Sequence, residues 1–240
     1  MNLTTEESNF FQLIDIEEIK DEGEVLNMVD IEVEEDNSFV FSYGIIAHNS
    51  ARGSILQKRN PESDAVYTLK GKIKNAKTVL DLAKNNEIVD LMNILNIEPF
   101  SGKNATFKKI VIATDWDPDG IGHIASLLIN LFWRWFPKII EEQKLFILIT
   151  PLVSVDTKSE REYFHSTDDF NKWKEENKKS FKNVRYLKGL GSLDLNDWEY
   201  VMYYRDMWSI YDDRSAKKML NMAFGKSSAV RKKWLKGETI

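Results

Sequence analysis

Lys109–Gly120 reads KIVIATDWDPDG. Lys109–Thr114 is a short apolar run rich in β-branched residues, which suits a strand better than a helix. Three carboxylates follow at alternate positions, Asp115, Asp117 and Asp119. Ile121–Phe136 then carries apolar residues at helical spacing, and Leu145–Thr150 is a second apolar strand. Strand, acidic turn, helix and strand make a βαβ unit, which implies a parallel sheet. Functional groups of such sheets gather at the carboxyl ends of the strands, where these aspartates fall. Three carboxylates at alternate positions form a hard, oxygen-rich group suited to Mg²⁺. The run D-x-D-x-D-G also opens a calcium-binding EF-hand loop, which needs a Glu at its twelfth position. That position is Ser126, and a strand rather than a helix precedes the loop. A solvated acidic turn is the plainer alternative.

Working outward, Thr78–Leu95 has helical spacing, and Ser50–Tyr67 reads as a loop with a short helix. A strand is expected around Val184–Leu187, then a KGLG loop and helices to the end. Towards the N-terminus the character changes. Phe10–Ile46 alternates apolar and polar residues in short runs broken by DEGE and EEDNS, the pattern of a small β-rich unit. Charge divides at the same place. The chain has 240 residues and a net charge of −5. Residues 1–49 hold 13 Asp and Glu against one Lys, whereas the remainder holds 32 Lys and Arg against 25 acids. Two units with different partners are expected, the second able to bind phosphates.

The absence of cysteine excludes disulfides, thiolate metal sites and a cysteine nucleophile. The opening MNLTTEESNF lacks a basic start and an apolar signal core, and Ile121–Phe136 is too short and mixed to span a bilayer. A cytoplasmic protein with no membrane partner is the expectation.

His48-Asn49-Ser50 contains the groups of a self-cleaving junction. An asparagine amide can attack its own carbonyl and break the following peptide bond, with orientation supplying much of the barrier reduction. A neighbouring His can protonate the leaving nitrogen, and a Ser can accept an acyl group. The run VDIEVEEDNSFVFSYGIIAHNS (29–50) resembles the C-terminal motifs of inteins, and LIDIEEIKDEGEVLNM (13–28) resembles the opening of C-terminal split-intein fragments. That resemblance implies a small β-rich Hint fragment over 1–49. It also implies cyclisation by Asn49, assistance from His48 and Asp30, and Ser50 as acyl acceptor. Asn37 stands where many inteins have a histidine, and a neutral Asn moves no proton. A basic N-terminal intein half on another polypeptide is the expected partner.

From Ser50 onward the chain resembles the TOPRIM region of type IIA topoisomerases, closest to the T-even phage form. YTLKGKIKN (67–75) is similar to the family's Pro-Leu-Arg-Gly-Lys segment, with Thr68 for proline and Lys70 for arginine. IVIATDWDPDG matches its strand and acidic motif, with Trp116 at a usually small position. ITPLVSV (149–155), YLKGLGSL (186–193) and NMAFGKSSAVRKKW (221–234) match three further segments. The resemblance implies an α/β TOPRIM-like parallel sheet with flanking helices over 50–192, and a helical C-terminal tail over 193–240. Asp115 and Asp117 would hold Mg²⁺ with Asp119 in support. Lys70, Lys72, Asn75 and Lys188 would contact double-stranded DNA. The family's ATP-binding portion lies N-terminal, and its DNA-breaking tyrosine sits on a separate breakage-reunion subunit. Its Glu-Gly-Asp-Ser-Ala motif is represented only by Ser50-Ala51, so the missing glutamate is expected on the polypeptide joined by splicing. Two rivals remain: a nuclease or primase-like protein sharing the metal motif, and a non-catalytic DNA-binding subunit carrying an inactive intein remnant.

Overall fold

The computed structural model describes residues 43–48, 52–101, 105–177, 181–213 and 215–238. The chain divides into two units between Asn37 and Ser38, and every described residue lies in the second. The expectations at Asp30, Asn37, Asn49 and Ser50 therefore lie outside the described residues, and of His48 only the backbone is within them.

In chain order the strands are β1 (Tyr43–His48), β2 (Asp64–Leu69), β3 (Lys109–Ala113), β4 (Leu145–Leu148), β5 (Val153–Thr157), β6 (Arg161–Phe164), β7 (Phe181–Tyr186) and β8 (Met207–Ser209). The helices are α1 (Arg52–Lys58), α2 (Val79–Ala83), α3 (Asn86–Leu95), α4 (Ser126–Trp135), α5 (Pro137–Glu141), α6 (Thr167–Glu176), α7 (Leu195–Tyr204), α8 (Ala216–Phe224) and α9 (Ser228–Leu235). The main sheet runs β2-β1-β3-β4-β8; β8 alone of these five is antiparallel to its neighbour. A second, antiparallel sheet runs β6-β5-β7.

β3 is apolar without alternation because both faces of the sheet are covered. Ile110 and Ile112 join a core with Leu128 and Phe132 of α4, while Val111 and Ala113 join another with Trp198 and Val201 of α7. β1 is shared in the same way: Ile46 packs into the first core, Ile45 and Ala47 into the second. Fully burying one such aliphatic side chain contributes about 1.5–3 kcal/mol.

The βαβ expectation holds, since β3 and β4 are parallel and α4 lies between them in the chain. Four other expectations are corrected. Tyr43–His48, assigned to the N-terminal β-rich unit, is an interior strand of the main sheet with its three apolar residues buried. The helix expected over Thr78–Leu95 is two helices, because Asn85 is extended and caps α3 by accepting the Ile88 N–H. Asp64–Leu69 is a strand rather than loop, placed at the sheet edge beside β1. Residues 193–240, expected to be helical, include the strand β8, which pairs with β4, while α7 seats Trp198, Val201 and Met202 in a core with Ile45 and Val111. Among the described residues no helix is long and apolar enough to cross a membrane.

Candidate metal centre

β3 delivers its acidic turn at the carboxyl edge of the sheet. The turn closes on itself, with Asp117 Oδ1 accepting the Gly120 N–H at 2.7 Å. Only glycine fits at position 120, because a Cβ there would lie 2.1 Å from the Asp115 carbonyl oxygen. A π-helical turn over Gly120–Ala125 then leads into α4, a local irregularity often found at functional sites.

Asp115 is held from a distant part of the chain. Its Oδ1 accepts the Leu190 backbone N–H at 2.6 Å. A Cβ on Gly189 would lie 2.7 Å from the same oxygen, so the KGLG loop approaches the carboxylate through a residue without a side chain. Sequence reading points to the lysine of that loop. Gly189 and Leu190 are the residues that touch the acid, and the paired glycines of Gly189-Leu190-Gly191 are the signal that could have found them.

Asp119 accepts a hydrogen bond from Lys72 Nζ at 2.7 Å, which holds its carboxyl below the usual carboxylate range. His123 Nδ1 lies 4.0 Å from the same oxygen. The three aspartates, Gly71, Lys72, Gly120 and Ile124 line one cleft of about 240 Å³.

The expected DNA-contacting residues do not share one environment. Lys72 lines the cleft, and Lys70 and Lys188 are exposed outside its lining. Asn75 is engaged within the fold: its Nδ2 donates to the Phe224 carbonyl at 2.9 Å and its Oδ1 accepts from Asn130 Nδ2 at 3.3 Å. It ties its loop to α4 and α8. Trp116 donates its indole N–H to the Leu148 carbonyl at 3.3 Å and meets Trp208 edge-on, with ring centroids 4.8 Å apart.

The donor set fits a hard cation in kind. Among the described residues, neither Asp115 nor Asp117 has a hydrogen bond to its second oxygen, and both line the cleft. It is short in number. No three His, Cys, Asp or Glu among the described residues gather closely enough to hold a metal by themselves. The end of β1, which pairs with β3 at Ala47↔Ala113, supplies an alanine at the edge nearest the acids.

Residues 148–239 match the family described as the C-terminal associated domain of TOPRIM. The chain is 31% identical over 216 residues to the B subunit of DNA topoisomerase 4 from Haemophilus influenzae, covering 82% of this chain and 34% of that protein. It is 32% identical over 166 residues to the B subunit of DNA gyrase from Spiroplasma citri, covering 66% of this chain and 26% of that protein. The fold is similar to the DNA-binding, cleavage and re-ligation domain of Plasmodium falciparum topoisomerase II, with a TM-score of 0.69 and 26% identity over 81% of this chain and 29% of that one. The chain thus spans about a quarter to a third of the relatives it matches. These matches support the topoisomerase resemblance, and the intein resemblance draws nothing from them.

Proposed function

We propose that this chain supplies the TOPRIM portion of the ATPase-bearing subunit of a type IIA topoisomerase, and that its acidic cleft serves DNA cleavage and religation. The observation that carries the reading is the Asp115–Asp117 pair at the carboxyl end of β3, with Asp115 fixed by Leu190 and Lys72 beside it. Asp115 and Asp117 would hold Mg²⁺, with Asp119 in support. A bound Mg²⁺ stabilises the attacking and leaving oxygens of phosphoryl transfer. Lys72, Lys70 and Lys188 would meet DNA phosphates. The breaking tyrosine and the ATPase would come from partner segments.

The shortage of donors fits the finer proposal. With Ser50-Ala51 aligned on the family's Glu-Gly-Asp-Ser-Ala motif, the missing glutamate falls at position 47, now Ala47. Trans-splicing after Asn49 would bring that acid in on the ligated N-terminal segment, with Asn49 cyclising, His48 and Asp30 assisting, and Ser50 accepting the acyl group. A second reading is favoured by one observation: β1 already fills an interior place in the sheet. On that reading the chain is left unspliced and serves as a non-catalytic DNA-binding subunit.

Mixing the chain with an N-terminal intein half that carries Glu-Gly-Asp decides between them by mass spectrometry. Splicing releases Met1–Asn49, and Asn49→Ala abolishes both release and ligation. In the reconstituted complex, Asp115→Ala and Asp117→Ala should each abolish Mg²⁺-dependent strand passage. Passage that survives both changes sinks the metal assignment.

A further inference from the structure

A second cleft opens at the same edge of the main sheet as the acids. It measures about 330 Å³ and is lined by Trp116, Ile149, Thr150, Leu152, His165, Asp206, Met207 and Trp208. That size is in the range of small-molecule pockets. Because β3 and β4 are parallel, Trp116 after β3 and Ile149-Thr150 after β4 emerge on one side of the molecule. Trp116 stands in sequence between Asp115 and Asp117, so a three-residue segment lines both clefts: the two acids face one, the indole the other.

The lining combines two kinds of group. Trp116 and Trp208 form an edge-to-face pair at 85°, and Trp208 keeps 54% of its surface exposed. Since the Trp116 N–H is already bonded to the Leu148 carbonyl, its ring is left as an apolar wall. Against these rings sit His165 and Asp206. His165 Nε2 is buried with no hydrogen-bond partner among the described residues, and it lies 3.7 Å from Asp206 Oδ2, beyond hydrogen-bonding reach. That nitrogen is sealed from solvent, while 31% of the His165 side chain stays exposed, so another part of the ring borders the cleft. Rings that stack on a planar face, with a histidine and a carboxylate along one edge, suit a flat heteroaromatic ring that both donates and accepts.

We propose that this cleft takes an unstacked nucleobase of the DNA strand whose phosphate lies at the acidic cleft. The inference rests on the DNA-cleavage reading above for the placement of that phosphate. Trp116 would then couple the two clefts: the turn that positions Asp115 and Asp117 also carries one wall of the base site.

The test measures affinity of the full chain for a short single-stranded oligodeoxythymidine and for the same oligonucleotide with one abasic position, each with wild type and with Trp208→Ala. Base stacking on an aromatic side chain is worth about 5- to 150-fold in affinity per base. Wild type should lose that factor when the base is removed. Trp208→Ala should lose a similar factor with the intact oligonucleotide and nothing further with the abasic one. Trp208 lies on an edge strand, so thermal unfolding of the variant accompanies the titrations. His165→Gln, which keeps a polar atom in the cleft, should weaken the intact oligonucleotide and leave the abasic one unchanged. A photocrosslink from 5-iodouracil at the intact position should map to Trp116 or Trp208. If both oligonucleotides bind wild type equally, or base and indole losses simply multiply, the base site is wrong while the acidic cleft stands. If neither oligonucleotide nor duplex binds at any Mg²⁺ concentration, both readings fall.

Discussion

The Leu190 backbone N–H donates to Asp115 Oδ1 across 75 residues of chain, at 2.6 Å. The bond joins the end of β3 to the loop after β7, so the acid's orientation is set by a tertiary contact rather than by its own turn. The oxygen not engaged by Leu190 remains available to a ligand.

The first prediction follows from how closely the loop approaches. Gly189→Ala places a Cβ 2.7 Å from Asp115 Oδ1, so either the loop or the carboxylate must move. A displacement of about 1 Å in a reacting geometry can cost on the order of 100-fold in rate. Mg²⁺-dependent DNA cleavage by the reconstituted complex should fall by at least about tenfold, with the Mg²⁺ optimum shifted upward. Unchanged cleavage would show that Asp115 needs no support from this loop.

Lys72 gives a second prediction, because its ammonium is shared between Asp119 and the cleft it lines. If it also meets a DNA phosphate, Lys72→Ala should lower affinity uniformly across sequences and reduce the slope of log K against log salt by about 0.9. Salt titrations of duplex binding read this directly. A weaker affinity with an unchanged slope would mean that the lysine acts on Asp119 and not on DNA.

The third prediction concerns acid stability. Asp194 caps α7 by accepting the Asn196 and Asp197 N–H groups, and its other oxygen accepts from Arg161 and Arg185 at 2.8 and 2.7 Å. Burial pushes its pKa up, but the Asp197 N–H bond and the Arg161 guanidinium outweigh that and hold it at about 2. A folded value below the unfolded one of about 3.9 gives stability that is present above pH 4. That stability is lost as pH falls through the folded value, so the window runs from about pH 4 down to about pH 2. Asp194→Asn keeps the cap and removes the charge. Urea midpoints of the variant should therefore fall less steeply than wild type across this window, from a lower starting stability at pH 7.

These contacts mark what local sequence could and could not disclose. The β3 run is legible because burial on both faces leaves a local signature. The bond of Asn75 to the Phe224 carbonyl is not legible in KGKIKN, because that partner is 149 residues away. Gly189 and Trp208 escape for the same reason: each matters through a residue far off in the chain. β5, β6 and β8 are short, and β5 places Ser154 in the interior, so hydrophobic alternation says little about them. Tyr43–His48 (YGIIAH) is a short apolar run that directly follows the alternating acidic segment, and only pairing with β2 and β3 assigns it to the parallel sheet.

That strand is anchored by an ion pair on which the last prediction rests. Asp64 at the start of β2 is fully buried, and its carboxylate accepts two hydrogen bonds from the Arg205 guanidinium. The same guanidinium lies 4.4 Å from the centre of the Tyr43 ring, at the start of β1. Arg205 itself closes α7 in the left-handed region, with φ of 52°. One side chain thus joins α7 to the first residues of both β1 and β2. Arg205→Met keeps most of the packing volume but leaves the Asp64 charge buried, with the Asn60 N–H and the Ser63 hydroxyl as its remaining donors. Removing one partner of a buried pair costs about 3–5 kcal/mol, and those two bonds place the expected loss at the lower end. Asp64→Asn combined with Arg205→Met should recover part of it, since no uncompensated charge remains. Hydrogen exchange should localise the damage: the Ile45 and Ile46 amides would lose protection relative to Ile110 and Ile112. Equal loss across all four would mean that the pair supports the whole sheet rather than the seating of β1.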